Sequence, residues 1–209
     1  MRIFIAGASG VIGVRLVPLL VADGHTVAGM TRSPQKAHML HELGAESVVC
    51  DVFDVDALTR AVTEFGPDAV LHQLTDLPDR AADIPDFAER SNYMLTRGTR
   101  NLLAAAAAAR AARVIAQSIS WELPNPSRRA VTAAHERGVL QAGGVVIRYG
   151  QLWGPGTYYQ TAPPDPPRIH VDDAARQTMS ALGSPAGLTI VADDRASLLG
   201  SGNAPASRV

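Results

Sequence analysis

The chain has 209 residues, of which 46% are hydrophobic and 19% are charged, a composition typical of one well-packed globular domain. Its formal net charge of −1 at pH 7 excludes the broad basic surface that nucleic-acid binding requires, so we expect no nucleic-acid partner. No apolar run reaches the roughly 20 residues that a membrane-spanning helix needs, so we expect no membrane partner.

The first third of the chain alternates between short apolar runs and helical patterns. The apolar runs predict strands at 2–6, 26–30, 45–50 and 69–71. The helical patterns predict one helix from 11 to a stop at 23–24 and two more over 34–43 and 55–64. Because the strands are apolar throughout, they are expected to be buried on both faces of a parallel sheet.

The alternation continues to residue 149 and then changes in character. A long helix is predicted over 87–112, a strand over 113–117, a helix over 129–142 and a strand over 145–149. This order predicts an α/β fold: a Rossmann-like doubly wound parallel sheet with helices on both faces, in three αβα layers. After it come a turn at 153–156, a proline-rich connector at 161–167, the end of a strand followed by a helix over 169–182, and a last strand at 188–191.

A glycine-rich turn separates the first strand from the first helix. Its spacing is G-x-x-G-x-x-G, and not the G-x-G-x-x-G of many dinucleotide-binding turns. All three glycines nevertheless lie where backbone N–H groups and a helix N-terminus face a pyrophosphate, so the turn predicts a dinucleotide cofactor. The residues expected to hold the cofactor here are Gly7, Ser9, Gly10, Val11, Ile12 and Gly13.

The residues after the second strand bear on the choice between NAD and NADP. An acidic residue there favours NAD by binding the ribose hydroxyls, whereas a cation favours the 2′-phosphate of NADP. Arg32 carries a planar fork of donors that suits a phosphate, and Ser33 adds a hydroxyl. The sequence therefore predicts NADP(H) as the preferred cofactor, with NAD(H) as the alternative.

Motifs along the chain resemble those of the short-chain dehydrogenase/reductase superfamily, in the extended or atypical branch that includes NAD-dependent epimerases and dehydratases. Besides the glycine turn, the similar segments are 51–52, 71–74, Asn92 with 98–103, 116–120, 148–156 and 169–175. The resemblance implies that the serine strand of the family corresponds to the segment with Ser118 and Ser120. It also implies cofactor contacts at Asp51, Val52, Gln73, Leu74, Tyr149 and Leu152.

The chain departs from this family at the proton-donating residues. Family members carry Tyr-x-x-x-Lys on the helix after the serine strand, where tyrosine donates a proton and lysine lowers its pKa. Here that helix includes 128–136 and has neither residue, and the only lysine, Lys36, belongs to the second strand–helix unit. The usual proton transfer cannot be assigned, which leaves water, Tyr158 or Tyr159 as the donor.

The substrate lobe that the resemblance implies is much reduced here. We expect one NAD(P)-binding domain over 1–194, with 150–194 as the reduced substrate side, and a flexible tail over 195–209. The substrate pocket is expected to be shallow or completed by another subunit, which leaves a homodimer open. His135, on an alanine-rich helix, is expected at the surface. No metal is expected at His170, Asp172 and Asp173, because no further ligand lies nearby in the sequence.

Together these observations favour an atypical NADP(H)-dependent oxidoreductase or epimerase-like enzyme acting on a small carbonyl, sugar-like or secondary-metabolite substrate. Ser118 or Ser120 would polarise the carbonyl, and Tyr158 is the third catalytic candidate. Two alternatives stay open: a dinucleotide-binding sensor or regulator without catalysis, and a non-redox isomerase, cyclase or dehydratase. With a single cysteine, Cys50, and no separate apolar leader, the expected location is cytoplasmic.

Overall fold

Strands and helices alternate along the chain in the computed structural model, which describes residues 1–193. The predicted tail at 195–209 therefore lies outside the described residues. The strands are β1 (Arg2–Ala6), β2 (Thr26–Thr31), β3 (Glu46–Val49), β4 (Ala69–His72), β5 (Arg113–Ile119), β6 (Val145–Tyr149), β7 (Gln151–Trp153), β8 (Arg168–His170) and β9 (Gly187–Val191). The α-helices are α1 (Gly13–Ala22), α2 (Pro34–Glu42), α3 (Val55–Phe65), α4 (Ala88–Tyr93), α5 (Thr99–Ala108), α6 (Pro126–Gln141) and α7 (Val171–Ser180).

Seven of these strands form one parallel sheet in the order β3-β2-β1-β4-β5-β6-β9. The chain moves outward from β1 through β2 to β3, then returns to the other side of β1 and continues from β4 to β9. The winding direction therefore reverses between β1 and β4, and ligands of open parallel sheets bind at this kind of switch point. The predicted doubly wound α/β fold is confirmed.

Helices cover both faces of the sheet and give it three layers. On one face, the core joins apolar residues of β1, β4 and β6 to those of α1, α2 and α7. On the other face, α3 and α5 pack against β1, β2 and β4, and α6 packs against β5 and β6. Among residues 1–193, no helix is both long enough and apolar enough to cross a membrane.

Capping residues determine where several helices begin. Ser33 precedes Pro34 and accepts a hydrogen bond from the backbone N–H of Lys36 at the start of α2. Asp54 accepts from the N–H of Ala57 at 3.0 Å at the start of α3. Asn125 likewise caps α6. These local signals place α2, α3 and α6 close to their predicted positions.

The long helix predicted over 87–112 is wrong in its extent. The structure has a 3₁₀ segment at Ala81–Phe87, then α4, a π-helical turn at Met94–Gly98, and α5, which ends at Ala108. The chain leaves α5 through Arg110, whose φ of +56° reverses its direction toward β5. Alanine-rich composition predicted helix but could not predict the widened turn, which lies beside the cleft described below.

Two further expectations about strands are corrected. The strand β3 is largely exposed, so the prediction that it is buried on both faces is wrong. It lies at the edge of the sheet, where β2 is its neighbour. The turn and connector predicted after residue 150 also contain β7 and β8, which pair in parallel as a separate two-stranded sheet. The strand end predicted at 169 corresponds to β8, whereas β7 was not predicted. The pairing of the two joins segments about 17 residues apart across a proline-rich connector, which the sequence pattern does not show.

One glycine allows β1 and β4 to approach closely at the switch point. Gly7 follows β1 with a φ of +90°, and a Cβ atom added there would lie 2.5 Å from the carbonyl oxygen of Gln73. The N–H of Gln73 donates to the carbonyl of Ala6 at 2.8 Å, which holds the two chain segments together. Any side chain at position 7 would force these backbones apart.

We expect Gly7→Ala to lower the free energy of unfolding by at least about 3 kcal/mol, because a left-handed backbone penalty is added to a backbone clash. Gly24 is the matched control, since its φ is +81° but nothing lies within 4 Å of an added Cβ. Gly24→Ala should cost only about 1 kcal/mol. Urea unfolding of both variants measures the difference, and equal losses would contradict the close approach at Gly7.

Candidate functional site

The carboxyl ends of β1, β2 and β4 converge on a cleft of about 400 Å³, which we call the glycine-turn cleft. It lies at the switch point of the sheet. Most of the residues predicted to hold a cofactor are brought together in its walls, although they come from four separate segments of the sequence. These residues are Gly7, Ser9, Gly10, Arg32, Ser33, Val52, Gln73 and Leu74.

The glycine turn is compact and presents its backbone to the cleft. The N–H of Gly10 donates to the carbonyl of Gly7 at 3.0 Å, and a Cβ at position 10 would lie only 3.2 Å from that oxygen. The hydroxyl of Ser9 is hydrogen-bonded to that of Thr31 at 2.9 Å, which ties the turn to the end of β2. Because α1 begins at Gly13, its N-terminus adjoins this turn.

The remaining residues of the predicted turn shape it from behind. A Cβ at Gly13 would lie 2.3 Å from the carbonyl oxygen of Ala8, so α1 can begin here only with glycine. Ile12 is buried in the core, and Val11 packs against it. Asp51 lies outside the cleft walls, where its carboxylate accepts from the N–H of Phe53 at 2.9 Å. Cofactor contacts for Val11, Ile12, Gly13 and Asp51 stay predictions.

Cationic and hydroxyl groups stand at the β2 end of the cleft. Arg32, Ser33 and Lys36 all line it there. Arg32 donates to the carboxylate of Asp76 at 3.3 Å, and Arg90 donates to the same carboxylate at 3.0 and 3.2 Å. The Arg32 side chain is 46% exposed, whereas that of Asp76 is 12% exposed. Arg32 is therefore free to turn toward a ligand while Arg90 keeps Asp76 paired.

The floor of the cleft carries polar atoms without partners. Both polar side-chain atoms of the Gln73 amide are buried and have no hydrogen-bond partner at ordinary distance among the described residues, although the amide lies near enough to the Tyr149 hydroxyl to favour its ionised form. Buried amides are normally hydrogen-bonded, so an unpaired one at a cleft is a group that a ligand would satisfy. Val52 lies beside it, positioned by a hydrogen bond of 3.0 Å from the Asn101 amide to its carbonyl. Together with the glycine cradle, this floor fits a bound dinucleotide.

A second space of about 200 Å³, the apolar cavity, continues from the cleft toward β5 and β6. The two spaces share Thr75, Asp76, Leu77 and Met94, and Met94 belongs to the π-helical turn. Tyr149 and Leu152, predicted to contact the cofactor, line the cavity instead of the cleft. The Tyr149 hydroxyl is hydrogen-bonded to Thr178 at 2.6 Å, and burial raises its pKa to about 12. Tyr149 is therefore fixed in the wall as a neutral phenol.

The two serine candidates lie at the end of β5 and differ in their partners. Ser118 lines the apolar cavity, but its hydroxyl donates to Glu136 at 2.6 Å. Burial raises the pKa of Glu136, yet hydrogen bonds from Arg148 and Ser118 outweigh it and lower that pKa below its usual value. Ser120 has a buried, unpaired hydroxyl and lines a more open space with Glu136 and Arg148. A catalytic role for either serine stays a prediction.

The tyrosine candidate is held away from both spaces. Tyr158 lines neither the glycine-turn cleft nor the apolar cavity, and its hydroxyl donates to the backbone carbonyl of Pro78. Burial and the nearby carboxylate of Asp79 raise the pKa of Tyr158. In this arrangement Tyr158 contacts no group at the cavity, and its catalytic role also stays a prediction.

The expectation that His135 is a surface residue is wrong, because it is 2% exposed and part of a buried chain of hydrogen bonds. The N–H of Leu74 donates to Nδ1 of His72 at 3.3 Å, so Nε2 of His72 carries the proton and donates to Thr99 at 3.0 Å. Thr99 donates to Nδ1 of His135 at 2.8 Å, and Nε2 of His135 donates to the carbonyl of Gln117 at 2.9 Å.

This chain is complete when both imidazoles are neutral. Burial, with a smaller contribution from His135, lowers the pKa of His72 to about 3, and burial also lowers the pKa of His135. The Gln117 amide then donates to the carbonyl of Leu74 at 3.1 Å, which returns the chain to its starting residue. The network thereby fixes the ends of β4 and β5, which form the junction between cleft and cavity. The alanine-rich sequence around His135 gives no signal of this hydrogen-bond network.

The resemblance implies Tyr-x-x-x-Lys on the helix after the serine strand, and that helix, α6, has neither residue. On α6, Arg128 and Thr132 line the apolar cavity. Residues four apart share one face of a helix, so this pair has the spacing of the family's tyrosine and lysine. Sequence reasoning noted that the family pair was absent but assigned no role to the residues in its place. Among the described residues, no group of three or more His, Cys, Asp or Glu side chains could hold a metal ion.

Comparisons with known proteins agree with this geometry. Residues 7–140 match a family model described as NAD(P)H-binding. The chain is 34% identical to 3-diazoavenalumate denitrifying reductase from a Streptomyces species, over 93% of this chain and 76% of that protein. It is 32% identical to a 4-hydroxy-2-methyl-3-oxo-4-farnesyl-3,4-dihydroquinoline-1-oxide ketoreductase from Stigmatella aurantiaca, over 74% of this chain. The chain spans about half the length of that ketoreductase, 51%.

The fold is also similar to that of solved structures. UDP-glucose 4-epimerase from Thermus thermophilus, in complex with NAD, has a TM-score of 0.76 at 21% identity, over 92% of this chain and 78% of that one. The fold and cleft thus define an NAD(P)-binding protein of the Rossmann type. The chain belongs to the NAD(P)H-binding family, and its fold is similar to that of the solved epimerase.

Because of the buried histidines, the free energy of unfolding should decrease as the pH is lowered. His72 stays neutral in the folded protein down to about pH 3, whereas it gains a proton near pH 6.5 when unfolded. The unfolded state therefore binds more protons between these values, and the stability present above pH 6.5 is lost as the pH falls. We expect His72→Gln to reduce the slope of unfolding free energy against pH by about 1.4 kcal/mol per pH unit between pH 6 and 4.

Urea unfolding across a pH series measures that slope. His38 provides the control, since its side chain is 78% exposed, so His38→Gln should keep the wild-type slope. The same slope in the wild type and in His72→Gln would show that His72 is protonated in the folded protein.

Proposed function

We propose that this protein is an NADP(H)-dependent reductase that transfers a hydride to a small, largely apolar substrate in the apolar cavity. The observation that carries the proposal is the adjacency of the two spaces: the polar glycine-turn cleft and the apolar cavity share four lining residues. When bound, the dinucleotide supplies a hydride from its nicotinamide ring. A polar site for the cofactor beside an apolar site for the acceptor suits that chemistry.

The preference for NADP(H) rests on the charge at the β2 end of the cleft. Arg32 and Lys36 are cations in the cleft wall, and Ser33 offers a hydroxyl. A 2′-phosphate there would replace Asp76 as the partner of Arg32. Asp76 would keep its two hydrogen bonds from Arg90, so this exchange leaves no buried carboxylate unpaired.

The choice of substrate follows from the missing proton donor. Reduction of a carbonyl consumes a hydride at carbon and a proton at oxygen, whereas α6 has no tyrosine or lysine and lines the cavity with Arg128 and Thr132. A carbon that bears a diazonium group accepts the hydride as its bond to nitrogen breaks, the electron pair leaves with dinitrogen, and no proton is consumed. The 34% identical relative is named a denitrifying reductase of a diazo compound, which supports this class of acceptor.

Cofactor preference is tested by calorimetric titration with NADPH and NADH. We expect Arg32→Ala to weaken NADPH binding about tenfold, because one charge-assisted contact at a half-exposed site is lost, and to leave NADH binding unchanged. Arg100, which is exposed on α5 and lines neither space, supplies the control variant Arg100→Ala. Equal affinity of the wild type for both cofactors would refute the preference for NADP(H).

Hydride transfer is tested with NADPH that carries deuterium at either C4 position of the nicotinamide. The acceptors are benzenediazonium and acetophenone, a ketone of similar outline. We expect protein-dependent deuterium from one C4 position only, in benzene formed from the diazonium salt and in little or no alcohol from the ketone. Mass spectrometry of the products, against a protein-free control, measures both. Tight NADPH binding without transfer to either acceptor would contradict a reductase and favour the sensor.

A further inference from the structure

Arg128 lines the apolar cavity and has no ion-pair partner among the described residues. It lies in the first turn of α6, and its Nε atom is buried and forms no hydrogen bond with the described residues. Within residues 1–193, the ion pairs of the protein do not include Arg128. Arg128 is only partly buried, and its terminal nitrogens are not among the buried unpaired atoms. A ligand that fills the cavity would displace water from this cation, which is unfavourable unless the ligand brings a compensating anion.

The carboxylates around the cavity are already engaged by other arginines. Asp76, in the cavity wall, accepts hydrogen bonds from Arg32 and Arg90. Glu136, one helical turn beyond Thr132 on α6, accepts from Arg148 at 2.8 Å and from Ser118 at 2.6 Å. Neither acid is available to Arg128 without breaking an existing pair. An anion that pairs with Arg128 and leaves these contacts intact would therefore come from outside these residues.

We infer that Arg128 binds an anionic group of the substrate, and that the substrate is a small aromatic or similarly planar carboxylate. The inference rests on the proposed function, because it names the substrate class of the same cavity. A carboxylate matches the planar fork of a guanidinium better than a spherical anion does. Arg128 lines the cavity and not the glycine-turn cleft, so its ligand is the substrate and not the cofactor.

The size and walls of the cavity set the rest of the substrate. About 200 Å³ is below the range of roughly 300 to 1,000 Å³ typical of drug-sized ligands, so the cavity suits one ring with a short side chain. Its walls include Trp121, Leu123 and Leu152, which favour a flat apolar body.

The test uses matched pairs of probes that differ only in charge: trans-cinnamate with cinnamamide, and benzoate with benzamide. Binding to the protein saturated with NADP⁺ is measured by calorimetry and by quenching of tryptophan fluorescence. We expect each carboxylate to bind at least tenfold more tightly than its amide. Arg128→Gln should weaken carboxylate binding about 10- to 100-fold, while Arg128→Lys should retain part of it. The affinities for NADPH and for both amides should not change.

The control is Arg137→Gln, which removes an exposed arginine from the same helix outside the cavity. Equal binding of carboxylates and amides, no binding of either carboxylate, or full carboxylate binding by Arg128→Gln would overturn the inference. Weakened NADPH binding in Arg128→Gln would overturn it too, because Arg128 would then serve the cofactor. Failure of the proposed function has a different signature: carboxylates bind through Arg128 while the wild type binds no dinucleotide or transfers no deuterium.

Discussion

The close approach of two backbones at the switch point is the constraint on which the site depends. β1 and β4 are neighbours in the sheet, and the residues that follow them, Gly7 and Gln73, pass so near each other that no side chain fits between them. This contact aims the glycine turn and the Gln73 amide into the same space. Without it, the cleft would lack either its phosphate-facing turn or its polar floor.

A second constraint joins the cleft to the apolar cavity. The hydrogen-bonded chain from His72 through Thr99 to His135 ties the ends of β4 and β5 to α5 and α6. Each donor in it has one acceptor, so the neutral imidazoles are held in a single orientation. The π-helical turn places Met94 at the junction of the two spaces, next to the same elements. Buried polar groups therefore hold the elements at the boundary between the glycine-turn cleft and the apolar cavity.

Much of the fold and the cleft could be predicted because their signals are local in sequence. Three of these signals can each be recognised within about ten positions of the sequence: the glycine spacing, the apolar strands and the residues after β2. The buried position of His135 depends on Thr99, 36 residues away, and its alanine-rich helix looks like a solvated one. The cavity-facing pair Arg128 and Thr132 becomes visible only once α6 is placed against β5. Contacts between distant segments were the part that sequence patterns could not supply.

The helix α6 packs against the sheet beside the cavity but has neither the tyrosine nor the lysine that the family resemblance implies. A tyrosine and lysine at its cavity-facing positions would serve proton transfer, which a carbonyl acceptor requires. An arginine that stays charged at any physiological pH cannot exchange a proton in this way, but it can hold an anion firmly. Tyr149 and Tyr158 do not replace the lost donor, because one is buried against Thr178 and the other is bound to Pro78. Under the proposed function, a cavity that holds an anion at Arg128 and has no tyrosine or lysine on α6 suits an acceptor whose reduction is completed by the loss of a neutral leaving group. That requirement connects the missing tyrosine to the unpaired arginine.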